Sequence, residues 1–356
     1  MKLHIIQPAI PKYRIPFFNN LEKKYDINFY TTETDFLGVK TVYESNKLVL
    51  SKGFKSFFNK IFWHKGLPLN SPYRKGDIVV INGNPRVLNY MLLFIFLRLK
   101  GVKTVWWGHG WTAGSYSRAA ALRIYLMRLA TAILVYTDKE CMSLAQYQCY
   151  ALNNGLDSHA IKNCIDKADA PQRGSSGFNL VFVGRITKKS NFEFLLHALS
   201  QVENSINLNV IGSCENIEYY KGIAFKLGLK DRVIWHGALF DECEIAQVML
   251  SSHVFVYPGA VGLSLIHAFN YGLPAIIHSD SKYHMPEFSA FRNNINGYCF
   301  DKGNINDLVS KINLIFNLDE KNYMKMSNSA MLTISQSFNT SDMFNRFVGM
   351  IEDLKS

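Results

Sequence analysis

The chain has 356 residues, of which 48% are hydrophobic and 19% charged. At roughly 150 residues per domain, this length predicts about two domains, each able to build its own core without disulfides or metals, and the composition excludes a disordered or fibrous chain. Basic residues outnumber acidic ones by 39 to 28, a net charge of +11, which predicts an anionic partner or surface: phosphorylated substrates, nucleic acid and inner-leaflet lipid all fit at this level.

The opening stretch, Met1 to Arg14, carries an early lysine and a short apolar run broken by Gln7 and Pro8. It reads as a first strand and makes a poor signal peptide. Further strands are expected at 26–31, 77–82, 102–107 and 132–137, with helices at 14–24, 85–100, 117–130 and 138–150. Runs that are apolar on both faces and separated by helices predict parallel strands covered on both sides. A polar stretch rich in Gly, Ser and Pro at 167–177 reads as a linker. The alternation then restarts, with strands at 179–184, 206–212, 232–237, 253–258 and 274–279 and helices at 191–203, 216–227, 241–250 and 263–271. The last 50 residues read as helical. The expected architecture is α/β, with two Rossmann-like domains (1–168 and 177–338) facing a central cleft and a closing helix at 339–356 that packs back on the first domain.

The six cysteines, at 141, 149, 164, 214, 243 and 299, occur singly with no Cys-x-x-Cys. That spacing argues against a zinc site or disulfide scaffold and predicts a reducing, cytoplasmic compartment. The longest apolar run, Tyr90 to Leu97, falls well short of the roughly 18–20 residues of a spanning helix, so the expected membrane contact is at most peripheral, on the inner face. Segment 51–66 suits such contact. It holds Lys52, Lys55, Lys60 and Lys65, and its Phe54, Phe57, Phe58, Ile61 and Phe62 fall at helical spacing. This predicts a basic amphipathic helix with an aromatic face; packing of that face on the domain is the plainer alternative.

Two segments of the second half carry the chemistry. In Tyr257 to Ile277 a strand ends at Pro258, a turn follows through Gly259, Ala260 and Gly262, and a helix starts near Leu263 and Ser264. Free N–H groups at such a helix start can hold phosphate. In 181–199 a strand ends in Gly184-Arg185 and is followed by Lys188 and Lys189. An arginine at the carboxyl end of a strand stands where ligands bind in open α/β sheets, and its fork matches phosphate oxygens.

Together, the Val183-Gly184-Arg185 turn, His236-Gly237, the helix start from Pro258 to Gly262-Leu263, the Gly272-Leu273-Pro274 ending, Pro286-Glu287 and, earlier, Asn154-Gly155-Leu156-Asp157 resemble GT-B glycosyltransferases, especially family 4 (glycosyl transferases group 1). The likeness covers most of the chain and is most specific from 179 to 300. It implies a retaining glycosyltransferase with a nucleotide-sugar donor, no cofactor and no metal, with donor contacts at Gly184, Arg185, Lys189, His236, Gly259, Gly262, Leu263, Ser264, His267 and Glu287. Two departures stand out. The family's paired glutamates would fall at Gly259 and His267, and its lysine at Ser190, with Lys189 the nearest substitute. His267 could still meet a ribose hydroxyl as donor or acceptor.

In the first half, His109 follows a strand in a Gly108-His109-Gly110 turn. This looks like the turn that brings a histidine to the donor sugar in related enzymes, so His109 and Arg185 are the expected catalytic pair; a histidine merely packed among tryptophans is the alternative. Residues 108–113 also fit the dinucleotide pattern G-x-G-x-x-A, but they follow a late strand and no acidic residue stands about 20 positions on. The acceptor is expected near Arg14, Asn84 and Arg86. A glycan, in particular a lipid-linked one bearing diphosphate, would match the basic first half and point to O-antigen or capsule assembly, with no nucleic acid involved. A sugar-nucleotide epimerase, a non-catalytic nucleotide-sugar binder and an NAD-dependent oxidoreductase are the rival readings.

Overall fold

The computed structural model describes residues 1–36, 38–58, 60–110, 118–169 and 177–356. Most of the linker expected at 167–177, and the end of the G-x-G-x-x-A stretch, lie outside them. The chain forms two compact units. One comprises Met1–Asn154 with Thr340–Ser356, and the other Gly155–Asn339. Residues 155 to 168, expected at the end of the first domain, therefore belong to the second unit.

The first unit is built on a parallel sheet. Its strands are β1 (Leu3–Ile6), β2 (Ile27–Thr32), β3 (Leu48–Ser51), β6 (Ile78–Asn82), β7 (Lys103–Trp107), β8 (Ala132–Val135) and β9 (Cys149–Ala151), in the order β3-β2-β1-β6-β7-β8-β9. Alternate side chains point to opposite faces. Leu3, Ile5, Val105 and Trp107 join one core with Phe17, Phe347 and Met350, while Ile6, Ile81 and Trp106 join the other with Tyr90, Leu93 and Phe94. The closing helix, Thr340–Lys355, supplies Met343, Phe347, Met350 and Ile351 to the first of these cores. Arg346 Nη1 also reaches Asp138 Oδ1 at 2.9 Å.

Two expectations fail here. Segment 51–66 is no helix. It forms an antiparallel hairpin, β4 (Phe54–Phe57) with β5 (Ile61–His64). Gly53 and Phe58 both have positive φ, which an α-helix does not accept. Phe62 and His64 point inward while Phe58, at the tip, is 92% exposed. The helix expected at 138–150 stops at Met142 and the chain then enters β9.

The second unit has strands β10 (Phe178–Val183), β11 (Ile206–Ile211), β12 (Val233–Gly237), β13 (Val254–Tyr257), β14 (Ala275–His278) and β15 (Gly297–Phe300). All are parallel, in the order β12-β11-β10-β13-β14-β15. The strand order reverses between β10 and β13, and in open α/β sheets ligands bind outside the carboxyl ends at such a point. The Gly184-Arg185 turn and the 258–262 turn lie at those two strand ends.

The cysteine expectation also changes. Cys164, on helix Ser158–Lys167, is disulfide-bonded to Cys243, on helix Glu242–Leu250. The partners are 79 positions apart, so no local spacing could announce the bridge. The other four cysteines are free.

Candidate nucleotide-sugar and acceptor sites

In the second unit, the turn before helix Leu263–Asn270 is fixed from two sides. Ala260 N–H donates to Lys189 O at 3.0 Å, which joins this turn to the one after β10. Val261 N–H donates to His284 Nδ1 at 3.1 Å, and His284 Nε2 donates to His278 O at 2.8 Å. Burial, then the neighbouring His278, lower the His284 pKa to about 3, so the ring is neutral and its Nδ1 is free to accept. Gly262 is the N-cap residue and offers no side-chain cap, so the first-turn N–H groups of the helix, including those of Leu263 and Ser264, remain available. Glu287 is buried, with Oε2 only 3.7 Å from where a Cβ on Gly262 would lie. It therefore stands beside this helix start.

Arg185 is exposed at the end of β10 and has no hydrogen bond or ion pair among the described residues. Gly184, before it, has φ +145°, and a Cβ there would press on the Tyr257 ring at 3.3 Å. Lys188 and Lys189 are exposed, whereas Ser190 is fully buried. The Ser190 hydroxyl accepts from Thr187 N–H (3.0 Å) and donates to Thr187 O (2.7 Å). The position where the family carries lysine is thus a buried turn cap, which leaves Lys189 as the neighbouring charge.

Gly259 explains one missing glutamate. A Cβ there would lie 2.1 Å from Lys189 O and 2.5 Å from Ser190 C. The backbone itself occupies the space a side chain would need. His267, at the other, is held by Glu242: its Nε2–H meets Oε1 at 2.7 Å, and Tyr271 Oη donates to the same oxygen at 2.5 Å. Nε2 is therefore spent on a carboxylate, and only Nδ1 could face a ribose. Glu242 escaped the sequence reading; its one signal is Asp241-Glu242 opening a helix, where Asp241 caps Cys243 and Glu244 N–H. His236 is likewise engaged, with Nε2 on Asn209 Oδ1 at 2.9 Å, at a register shift between β11 and β12. Its ring ties two strands together. A cavity of about 350 Å³ opens nearby, lined by Gly212, Ser213, Trp235 and Ala238 among others.

In the first unit, Asn84, Arg86 and His109 line one cavity of about 280 Å³, together with Asn82, Arg123 and Tyr136. The floor is the carboxyl end of the sheet after β6, β7 and β8. The His109 ring packs on Tyr136 (4.2 Å between centroids), and its Nδ1 lies 3.7 Å from Glu140 Oε1. Glu140 is buried, and its other oxygen accepts from Tyr136 N–H at 3.1 Å. At 3.7 Å the approach of His109 to Glu140 is a charge contact and not a hydrogen bond: His109 Nδ1 and Glu140 Oε1 are both buried with no hydrogen-bond partner among the described residues. The hairpin β4–β5 holds Arg86: Nε donates to Lys60 O (2.7 Å) and the guanidinium lies over the Phe62 ring (4.9 Å). Arg14 does not line the cavity; it is buried over the Trp107 ring at 4.8 Å, with the Tyr136 ring at 5.5 Å. Its role here is packing, with Tyr136 as the link to the cavity. Among the described residues no cluster of three or more His, Cys, Asp or Glu side chains could hold a metal ion, and no helix is long and apolar enough to cross a membrane.

Residues 167–332 match the family model for glycosyl transferases group 1. This stretch is similar to glycosyl transferases group 1. Over 183 residues the chain is 25% identical to the lipopolysaccharide 1,6-galactosyltransferase of Escherichia coli K12, covering 46% of this chain and 48% of that one; the match thus spans about half the length of that relative. The whole chain shares its fold with solved structures. The lipopolysaccharide outer core galactosyltransferase WaaB aligns with a TM-score of 0.71 at 17% identity, covering 99% of both chains. Anabaena HepE in complex with UDP and glucose aligns at 0.68 and 13%, covering 99% of this chain and 100% of that one. Sucrose-phosphate synthase from Thermosynechococcus elongatus aligns at 0.71 and 16%, covering 99% of both. The chain therefore has the GT-B fold.

Proposed function

We propose that this chain is a retaining, metal-independent glycosyltransferase that moves a sugar from a nucleoside-diphosphate sugar to a glycan acceptor in surface-polysaccharide assembly. One observation carries the reading. Arg185 and the uncapped start of helix Leu263–Asn270 stand at the two strand ends flanking the point where the second sheet reverses order. Together with Lys189 they form a preorganised set of donors and charges for a diphosphate, which can stabilise the leaving group as a divalent ion would. Glu287, beside the helix start, supplies the carboxylate that Gly259 cannot, and so can accept sugar hydroxyls. The structural likeness to HepE bound to UDP favours uridine as the base. The first unit, whose cavity holds His109 near the buried Glu140, takes the acceptor. A lipid-linked acceptor of O-antigen or capsule type accords with the lipopolysaccharide galactosyltransferase relative and with the net charge of +11. Titration of the protein with UDP in the presence of EDTA tests this reading. Saturable binding is expected; a protein that binds no nucleoside diphosphate is not this enzyme.

A second candidate face for peripheral membrane contact, beside the 51–66 hairpin, is helix Leu88–Leu99. Leu88, Leu92, Ile95, Phe96 and Leu99 are all exposed and share one face of that helix, with Arg98 and Lys100 at its end. Replacing Leu92, Phe96 and Leu99 by Ser should weaken sedimentation with phosphatidylglycerol vesicles about a hundredfold, if each side chain contributes on the order of 1 kcal/mol at the interface. Wild-type protein that stays in solution with such vesicles at low salt would contradict this contact.

A further inference from the structure

We infer that the cavity of the first unit is a subsite for an oxyanion carried by the acceptor, a phosphate or carboxylate substituent, gripped by Arg86 and Arg123. The word acceptor rests on the transferase reading above; the anion site itself does not. Both arginines line the same cavity of about 280 Å³ with Asn82, Asn84, His109 and Tyr136. This volume lies just below the roughly 300–1,000 Å³ of sites for larger ligands and suits one small charged group. No carboxylate lines it among the described residues. Glu140 lies beside His109, with one oxygen taken by Tyr136 N–H.

Neither arginine has an ion pair among the described residues. Arg123, half-buried on helix Arg118–Leu126, has its pKa lowered by loss of solvent, the mark of a cation with no countercharge. Arg86 is pinned through Nε to Lys60 O and across the Phe62 ring, so its terminal nitrogens are held in place yet uncommitted. A partly desolvated cation without a partner, as Arg123 is, is costly, and with the exposed Arg86 lining the same small cavity the pair favours a planar or tetrahedral oxyanion, which guanidinium forks bind in bidentate fashion. The amides of Asn82 and Asn84 and the His109 ring add neutral hydrogen-bonding groups for the sugar that carries the anion.

The test is a titration of the full chain followed at the His109 ring resonance, identified by its loss in His109→Gln. Inorganic phosphate and D-glucuronate are the probes, and D-glucose is the neutral control. A saturable shift with phosphate, with glucuronate or with both by about 10 mM, and none with glucose, is expected; which anion acts tells a phosphorylated acceptor from an acidic sugar. Arg123→Gln should weaken this binding at least about tenfold while leaving UDP affinity unchanged. Arg86→Gln should do the same and serves if the first variant misfolds. No shift with either anion, or an Arg123→Gln protein that binds both as wild type does, overturns the assignment. Failure to bind UDP would instead count against the transferase reading and leave the anion titration standing.

Discussion

Arg185→Ala is expected to lower turnover by two to three orders of magnitude while leaving the fold intact. A guanidinium that meets a diphosphate as charge builds on the leaving group contributes roughly 3–4 kcal/mol to the transition state, and each 1.36 kcal/mol is tenfold in rate. The same substitution should hardly alter stability. The side chain is exposed and makes no hydrogen bond or ion pair among the described residues, and surface changes of that kind usually stay within about 0.5 kcal/mol. Arg185→Lys should recover only part of the loss, because an ammonium cannot reproduce the two-pronged contact. Steady-state rates beside thermal melting curves check this: activity within about threefold of wild type removes Arg185 from the site.

Gly259→Glu, which would restore the glutamate common to the family, should fail to raise activity and should destabilise the second unit by about 3 kcal/mol or more. The reason is local. A Cβ at this position would fall 2.1 Å from Lys189 O and 2.7 Å from Ser190 Cα, and these are backbone atoms. They cannot swing aside as a side chain could. Ser190, with its buried hydroxyl tied to Thr187, holds that stretch still. For a unit of this size the loss corresponds to roughly 6–12 °C in melting temperature. A Gly259→Glu protein that melts with wild type would show that the two turns are packed more loosely than this, and higher activity would show that the missing carboxylate, and not Glu287, is what the donor sugar needs.

Both strand ends of this site were legible in the sequence. Val-Gly-Arg after an apolar run and Gly262-Leu263 opening an amphipathic run are local patterns, readable without any distant partner. The central strands were legible for the same reason: runs such as Ile78–Ile81 and Val254–Tyr257 are apolar throughout because both faces are covered. Segment 51–66 misled because Phe54, Phe57, Phe58, Ile61 and Phe62 fall at helical spacing by chance. The deciding features were backbone ones, Gly53 and Phe58 with positive φ, and the pairing of Phe54 with His64. Interactions between distant residues were hidden altogether. Nothing near His267 in the sequence points to Glu242, nothing near His109 to Glu140 or Arg123, and nothing near Cys164 to Cys243. Each of these partners is brought in by the sheet order or by helix packing.

The central claim is that a nucleoside diphosphate sits at the start of helix Leu263–Asn270 beside Arg185 without a metal ion. The most direct measurement is a titration with UDP in EDTA-containing buffer, followed at the backbone amides of Gly262, Leu263 and Ser264. Saturable shifts of these amides are predicted, with an affinity that does not change when excess magnesium or manganese is restored and that falls in Arg185→Ala. Amides that stay unmoved while UDP binds, or binding that appears only with the divalent ion, would contradict it.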